Sequence, residues 1–177
     1  MAVLSTIRKL FHNDAYDASD PVLPAPTAEY SIRPLTPDDL AEVLTLNIRC
    51  FRNGDNYTKH TFEFLLSDAR TLGYKMVADG SEMVGFAFIM ENPNGAAHLT
   101  TIGVSPEHRR RGIAARMLQH VEMKARSRGL YTVVLEVRAG NLAAQDLYRR
   151  AGYSIVQRIS KYYFNGEDGF LMMKGLN

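Results

Sequence analysis

The chain changes its hydrophobic period several times, and each change marks an element. YSIRPL alternates apolar and polar positions from Tyr30, which predicts a half-buried strand. TPDDLAEVLTLNIRCF predicts a helix with Thr36 as its N-cap, Pro37 at its first position and acids in its first turn. RNGDNY reads as a loop and TKHTFEFLLSDAR as a second helix. YKMVAD and EMVGFAFIME read as strands joined by a hairpin turn at Gly80–Ser81, and AHLTTIGV as a further strand. From Gly112 to Arg128 the period is helical, with Ile113, Met117, Leu118, Val121 and Ala125 on one face and Gly129 as the stop. YTVVLEV is nearly continuous in apolar residues, as expected of a strand covered on both faces. NLAAQDLYRRAG is a helix closed by Gly152, and YSIVQRISKYYF with DGFLMMKGL forms a terminal hairpin.

The order β-α-α-β-β-β-α-β-α-β-β predicts an α/β fold: a mixed sheet with helices on both faces. That domain covers residues 30–177. Residues 1–29 form an extension in which Val3, Leu4, Ile7, Leu10 and Phe11 fall at helical spacing. DASDPVLPAP, with three of the seven prolines, reads as an extended linker. A mobile tail and docking on the domain or on a second subunit both fit this extension.

At 177 residues with a net charge of +2, the chain suits one ordinary domain and lacks the strongly basic balance of a general polyanion binder. No DNA partner is expected. Cys50 is the only cysteine, so no disulfide forms within the chain. No apolar run is long enough for a membrane span, and MAVLSTIRKLF lacks the apolar core of a secretion signal, so the expected location is cytoplasmic. The five histidines show no metal-ligand spacing, so no metal site is expected.

The candidate chemistry starts at HRRRGIAARM, between a strand ending at Val104 and a helix starting near Gly112. A helix N-terminus offers unpaired N–H groups and the positive end of its dipole. Gly112 and the small Ala114 let an anion approach the backbone, and arginines add multidentate charge-assisted bonds. The stretch therefore suits a pyrophosphate, although a solvated basic turn has the same composition. It is not a P-loop, because the glycine, lysine and Ser/Thr spacing is absent.

Arg109-x-x-Gly112-x-Ala114 resembles the R/Q-x-x-G-x-G/A signature of GNAT acetyltransferases. TTIGVSPEHR before it, LEVRAGNLAAQDLYRRAGY after it, Tyr162–Tyr163 and EDGFLMMK resemble the same family. The set is most similar to the branch of bacterial ribosomal-protein-alanine and other protein N-terminal acetyltransferases. The resemblance is strong over residues 99–176, weaker from Tyr30, and absent over 1–29. It implies a GNAT fold with acetyl-CoA as co-substrate. The acceptor it implies is a protein or peptide N-terminal α-amine, possibly of a ribosomal protein, acetylated by direct transfer in a ternary complex.

The resemblance also assigns roles. Arg109, Arg110, Arg111, Gly112, Ile113, Ala114 and Ala115 would hold the pyrophosphate. Ile102, Gly103 and Val104 would pair with the pantetheine arm like an added strand, with the Val104 N–H polarising the thioester carbonyl. Asn141, a plain N-cap by position, would also contact CoA. Glu136 would be the general base and Tyr148 the general acid at the leaving sulfur. Read from pattern alone, Glu136 is an ion-pair partner for Arg138 or another arginine, and Tyr148 a half-buried helix aromatic. Phe51, Tyr57, Tyr162 and Tyr163 would contact the acceptor peptide, or simply pack. His98 reads as a surface or structural histidine, with a second base as the alternative, and Cys50 as a core residue. Alternatives within the fold are lysine or small-molecule acetylation. A non-catalytic acyl-CoA sensor and an RNA- or ribosome-binding module are further readings. Monomer and homodimer both stay open.

Overall fold

The computed structural model describes residues 11–12, 22–51 and 56–176. The amphipathic stretch expected from Val3 lies outside these residues except for its end, where β1 (Phe11–His12) pairs antiparallel with β3 (Asn56–Tyr57). The main sheet's first strand is β2 (Tyr30–Pro34). The chain continues through α1 (Leu40–Cys50), α2 (Lys59–Ser67), β4 (Thr71–Ala78), β5 (Glu82–Glu91) and β6 (Ala97–Val104). Then follow α3 (Ile113–Ser127), β7 (Thr132–Arg138), α4 (Leu142–Arg150), β8 (Ser154–Ile159) and β9 (Gly169–Gly175). Seven strands form one mixed sheet in the order β2-β4-β5-β6-β7-β9-β8.

Local departures from the expected boundaries have local causes. The turn Pro37–Asp39 is a 3-10 turn rather than the start of an α-helix. The Asp39 carboxylate accepts from both the amide and the hydroxyl of Thr36, and Lys75 reaches it at 2.5 Å. Helix α2 stops at Ser67 instead of running to Arg70. The Asp68 carboxylate takes up the Arg70 amide and guanidinium, and this local ring competes with the helix. Strand β4 starts at Thr71, three residues before the expected Tyr74, because it pairs with β5 from Thr71↔Met90 onward. Strand β8 ends at Ile159, so Tyr162 and Tyr163 lie in the connection rather than in a strand.

Side-chain alternation along β5 sends Ala87 and Ile89 to one face and Phe86 and Phe88 to the other, and the irregularity opposite Met76–Val77 keeps Val84 with the first set and Met83 with the second. The first face packs against Met117, Leu118 and Val121 of α3 and Tyr148 of α4. The second packs against Val43 and Leu46 of α1 and Phe62 and Leu65 of α2. Helices therefore cover both faces, but unequally: α1 and α2 lie over β4 to β6. Among the described residues, the α1/α2 face of β7, β9 and β8 carries the β8–β9 connection, where Tyr162 rests on Gly169, and no helix.

Phe62 is fully buried and meets Phe86 edge-on at 5.9 Å. Phe62→Ala should destabilise the domain by about 3–5 kcal/mol through lost transfer energy and the cavity left behind. A urea titration would show this as a lowered midpoint at unchanged slope.

Candidate functional site

The site grows from one irregularity. β6 and β7 run parallel, yet they pair only at Ala97↔Val133 and His98↔Val134. Beyond His98 the strands part, and residues 99–104 of β6 have β5 on one side and no strand on the other. The Ser105 amide donates to Val84 O across the β5 side. By strand alternation the Val104 amide, one residue earlier, points to the open side. The Val104 carbonyl faces that side too, and Arg109 Nε donates to it at 3.1 Å. An extended chain laid along Ile102–Val104 would find a ladder edge waiting.

The three arginines divide their labour. Arg109 also donates to the Cys50 carbonyl at the end of α1, so it ties α1 to β6. Arg111 donates to the carbonyls of Ala25 and Pro26 and to the Tyr30 hydroxyl. Arg116 donates to the Tyr30 carbonyl, and the Ala25 amide to Glu107 O. The Pro-rich segment before β2 is thus docked across the loop rather than held clear of it. Arg110, at φ +63°, is exposed. Gly112 (φ +74°) is the N-cap of α3 and has no side chain to cap the first-turn amides of Ile113, Ala114 and Ala115. A Cβ there would meet nothing within 4 Å, so the space over the helix end is open. The donors present suit a pyrophosphate: uncapped amides, an open approach and Arg110.

On the α1/α2 face, where the strands part, His98 Nε2 donates to Glu136 Oε2 at 2.7 Å. The two side chains are 3% and 8% exposed. Of the two sequence readings of Glu136, the Arg138 ion pair is overturned. Arg138 instead bonds Glu167 at 2.6 Å and Asn165 at 3.1 Å, with its guanidinium 4.0 Å from the Tyr163 ring centre. His98 is not at the surface either. It is a buried partner of the carboxylate, a pairing across 38 positions that no local spacing displays.

Tyr148 belongs to the opposite face. It is buried in the α3/α4 core, edge-on to Tyr153 at 5.8 Å, and burial pushes its hydroxyl above the usual tyrosine range. That makes it a weaker acid than a free tyrosine and a persistent hydrogen-bond donor. Asn141 caps α4, accepting from the Ala144 amide at 3.1 Å. Burial pushes the Cys50 thiol up to about 12, against the opposing pull of Arg109, so it is unsuited to nucleophilic chemistry at neutral pH.

The expected peptide contacts are better packed than the sequence implied. Tyr57 is buried, and its hydroxyl donates to Thr100 O at 2.9 Å. Phe51 meets Phe86 edge-on. Tyr162 and Tyr163 are buried and pack edge-on at 5.1 Å. The exposed aromatic of this region is Phe164, which sequence reasoning passed over. Among the described residues no cluster of His, Cys, Asp or Glu could hold a metal ion. No described helix is long and apolar enough to cross a membrane.

Residues 40–153 match the acetyltransferase (GNAT) family model. The chain is 30% identical to an N-alpha-acetyltransferase of Sulfurisphaera tokodaii over 158 residues, covering 81% of this chain and 92% of that one. It is 36% identical to the N-terminal acetyltransferase B complex catalytic subunit of Schizosaccharomyces pombe over 109 residues. That match covers 56% of this chain and spans 61% of the relative's length. Among solved structures, the ribosomal-protein alanine N-acetyltransferase of Escherichia coli superposes with a TM-score of 0.77. It is 28% identical, over 84% of this chain and 95% of that one.

Glu107, at the turn into the arginine loop, offers a pH test of the loop's anchoring. Burial works to raise its carboxyl, but the Ser105 hydroxyl, its own backbone and Arg49 at 2.7 Å hold it down to about 2. A folded-state value below the unfolded ~4.3 contributes stability above that pH and loses it as pH falls toward 2. Glu107→Gln should therefore flatten the acid limb of the stability–pH curve between about pH 5 and 2. Thermal melts across that window, wild type against variant, would show it.

Proposed function

The chain belongs to the GNAT acetyltransferase family, and from that premise we propose that it acetylates the N-terminal α-amine of a protein, with acetyl-CoA as co-substrate. The observation that carries this reading is the buried Glu136–His98 pair at the point where β6 and β7 part. It puts a carboxylate on one side of the split and an open strand edge and an uncapped helix end along the other. The names of the archaeal and fission-yeast relatives support an α-amine acceptor.

Acetyl-CoA supplies the activated acyl group. This chain's residues would bind it through the α3 first-turn amides and Arg110 at the pyrophosphate. The open edge of Ile102, Gly103 and Val104 would take the pantetheine arm. The amine nitrogen forms its bond to the acyl carbon as the C–S bond breaks. Its proton passes to Glu136, directly or through one water. His98 holds the carboxylate in one orientation, which spares the reaction that ordering step. The Tyr148 hydroxyl, kept neutral by burial, donates toward the leaving sulfur. An α-amine, at about pKa 8, needs far less deprotonation at neutral pH than a lysine amine at about 10.4, and a single carboxylate is better matched to the first. Arg109 and Arg111 act as struts of the loop, not as phosphate ligands. A ribosomal-protein acceptor is supported by the E. coli relative's name alone.

Glu136→Gln should lower kcat on peptides with free N-termini by about 10²-fold or more, with KM for acetyl-CoA within about threefold of wild type. N-blocked, lysine-containing copies of the same peptides should not be turned over. Turnover of the blocked copies alone would move the acceptor to lysine. Unchanged kcat in the variant would remove Glu136 from the chemistry.

A further inference from the structure

The α1/α2 face beyond Glu136 is unusually bare. In the register of β7, β9 and β8, Glu136 pairs with Leu171 and Val134 pairs with Met173. These residues share the face of Glu136, and among the described residues no helix lies over them. Met173 is 42% exposed, and Val134 and Leu171 are half-buried. The result is an apolar strip that starts at the carboxylate and runs away from the split. A directly opposed pair in a sheet places its Cβ atoms about 5 Å apart, so Leu171 is the immediate neighbour of Glu136.

At the Arg138 end of the strip stands Phe164, 82% exposed. A single exposed phenylalanine is unremarkable on a floppy loop. This loop is held. The Tyr163 amide donates to Glu167 O, and the Gly166 amide to Tyr163 O. Asn165 accepts from the Glu167 amide and from Arg138, and Arg138 stacks on Tyr163 and bonds Glu167. Arg138 is two residues from Glu136 on the same strand face. A guanidinium 12% exposed therefore fixes the position of the phenylalanine relative to the carboxylate. Two charge pairs stand at the tip: Arg138 with Glu167, and Arg158 with Asp168, both at 2.6 Å.

We infer that the strip of Val134, Leu171 and Met173, walled by Phe164, selects acceptors whose first residue is large and apolar. This rests on the reading of Glu136 as the base beside the acceptor amine. With the nitrogen at Glu136, the first side chain leaves an atom only one Cα away and comes to rest on Leu171. A small first residue such as alanine leaves the strip wet. An acidic one finds Arg138 and Arg158 already bonded to carboxylates and loses its own hydration on the apolar strip. The acceptor class therefore differs from the alanine-starting one named for the E. coli relative.

The test is kcat/KM on peptides identical except for their first residue: Met, Leu, Phe, Ala, Ser and Asp. Wild type should favour the first three over the last three by about tenfold or more, since buried methylenes discriminate at about that scale. Phe164→Ala, at an exposed position where truncation opens no core cavity, should lower kcat/KM for the apolar-first peptides about three- to tenfold, through KM, and leave the Ala- and Ser-first peptides unchanged. Met173→Gln should act in the same direction. Equal turnover across the panel, or a preference for Ala- or Asp-first peptides, overturns the inference and leaves the site reading intact. An equal loss on every peptide in Phe164→Ala also overturns it. No turnover of any free N-terminus overturns both.

Discussion

Two parallel strands that stop pairing leave backbone donors and acceptors without partners, and a folded chain rarely leaves such an edge unused. Here β6 and β7 hold together for two register pairs and then diverge. Everything of functional interest lies on the rim of that divergence. The open edge of β6 faces it, α3 begins at its base, and Glu136 and His98 bridge its vertex. The sheet on either side is tightly built. Phe86, Phe88 and Phe62 fill one face, and the α3 apolar stripe fills the other. Rigidity on both flanks keeps the gap from closing, because collapse would require the cores to shift together.

The fold was largely readable from the sequence, since its determinants are local. Alternation in EMVGFAFIME, the helical stripe from Ile113, and the glycine stops at Gly129 and Gly152 each act over a few residues. What failed at the boundaries was also local but finer. Asp68 closing on Arg70 ends α2, and Asp39 folding back on Thr36 tightens the turn before α1. Neither shows in a count of apolar positions.

The site was readable only in part, because its residues are joined by contacts that skip across the sheet. Glu136 stood out as a carboxylate in an apolar strand, yet its partner is 38 positions away on a parallel neighbour. Arg138 looked like the natural counter-ion because it is near in sequence and on the same face. The hairpin connection supplies a better acceptor in Glu167, and an aromatic ring besides. For the tyrosines of that connection the resemblance implies peptide contacts, and plain packing is the alternative the sequence leaves open. Here they form the packed base of the loop, and the residue after them is the one left in water. Of the three arginines the charge was visible. That two of them spend it on backbone carbonyls was not, since those carbonyls lie on α1, β6 and the segment before β2.

That last arrangement bears on where this protein can be cut. By pattern the domain starts at Tyr30, and a chain trimmed there would keep every strand and helix of the main sheet. It would also strip Arg111 of two carbonyl acceptors and Glu107 of an amide partner, at the threshold of the anion loop. A guanidinium released from its tether swings toward whatever negative charge comes near. Tyr30 thus opens the main sheet without closing off its electrostatics: a shortened protein would present a more strongly charged entrance than the intact one.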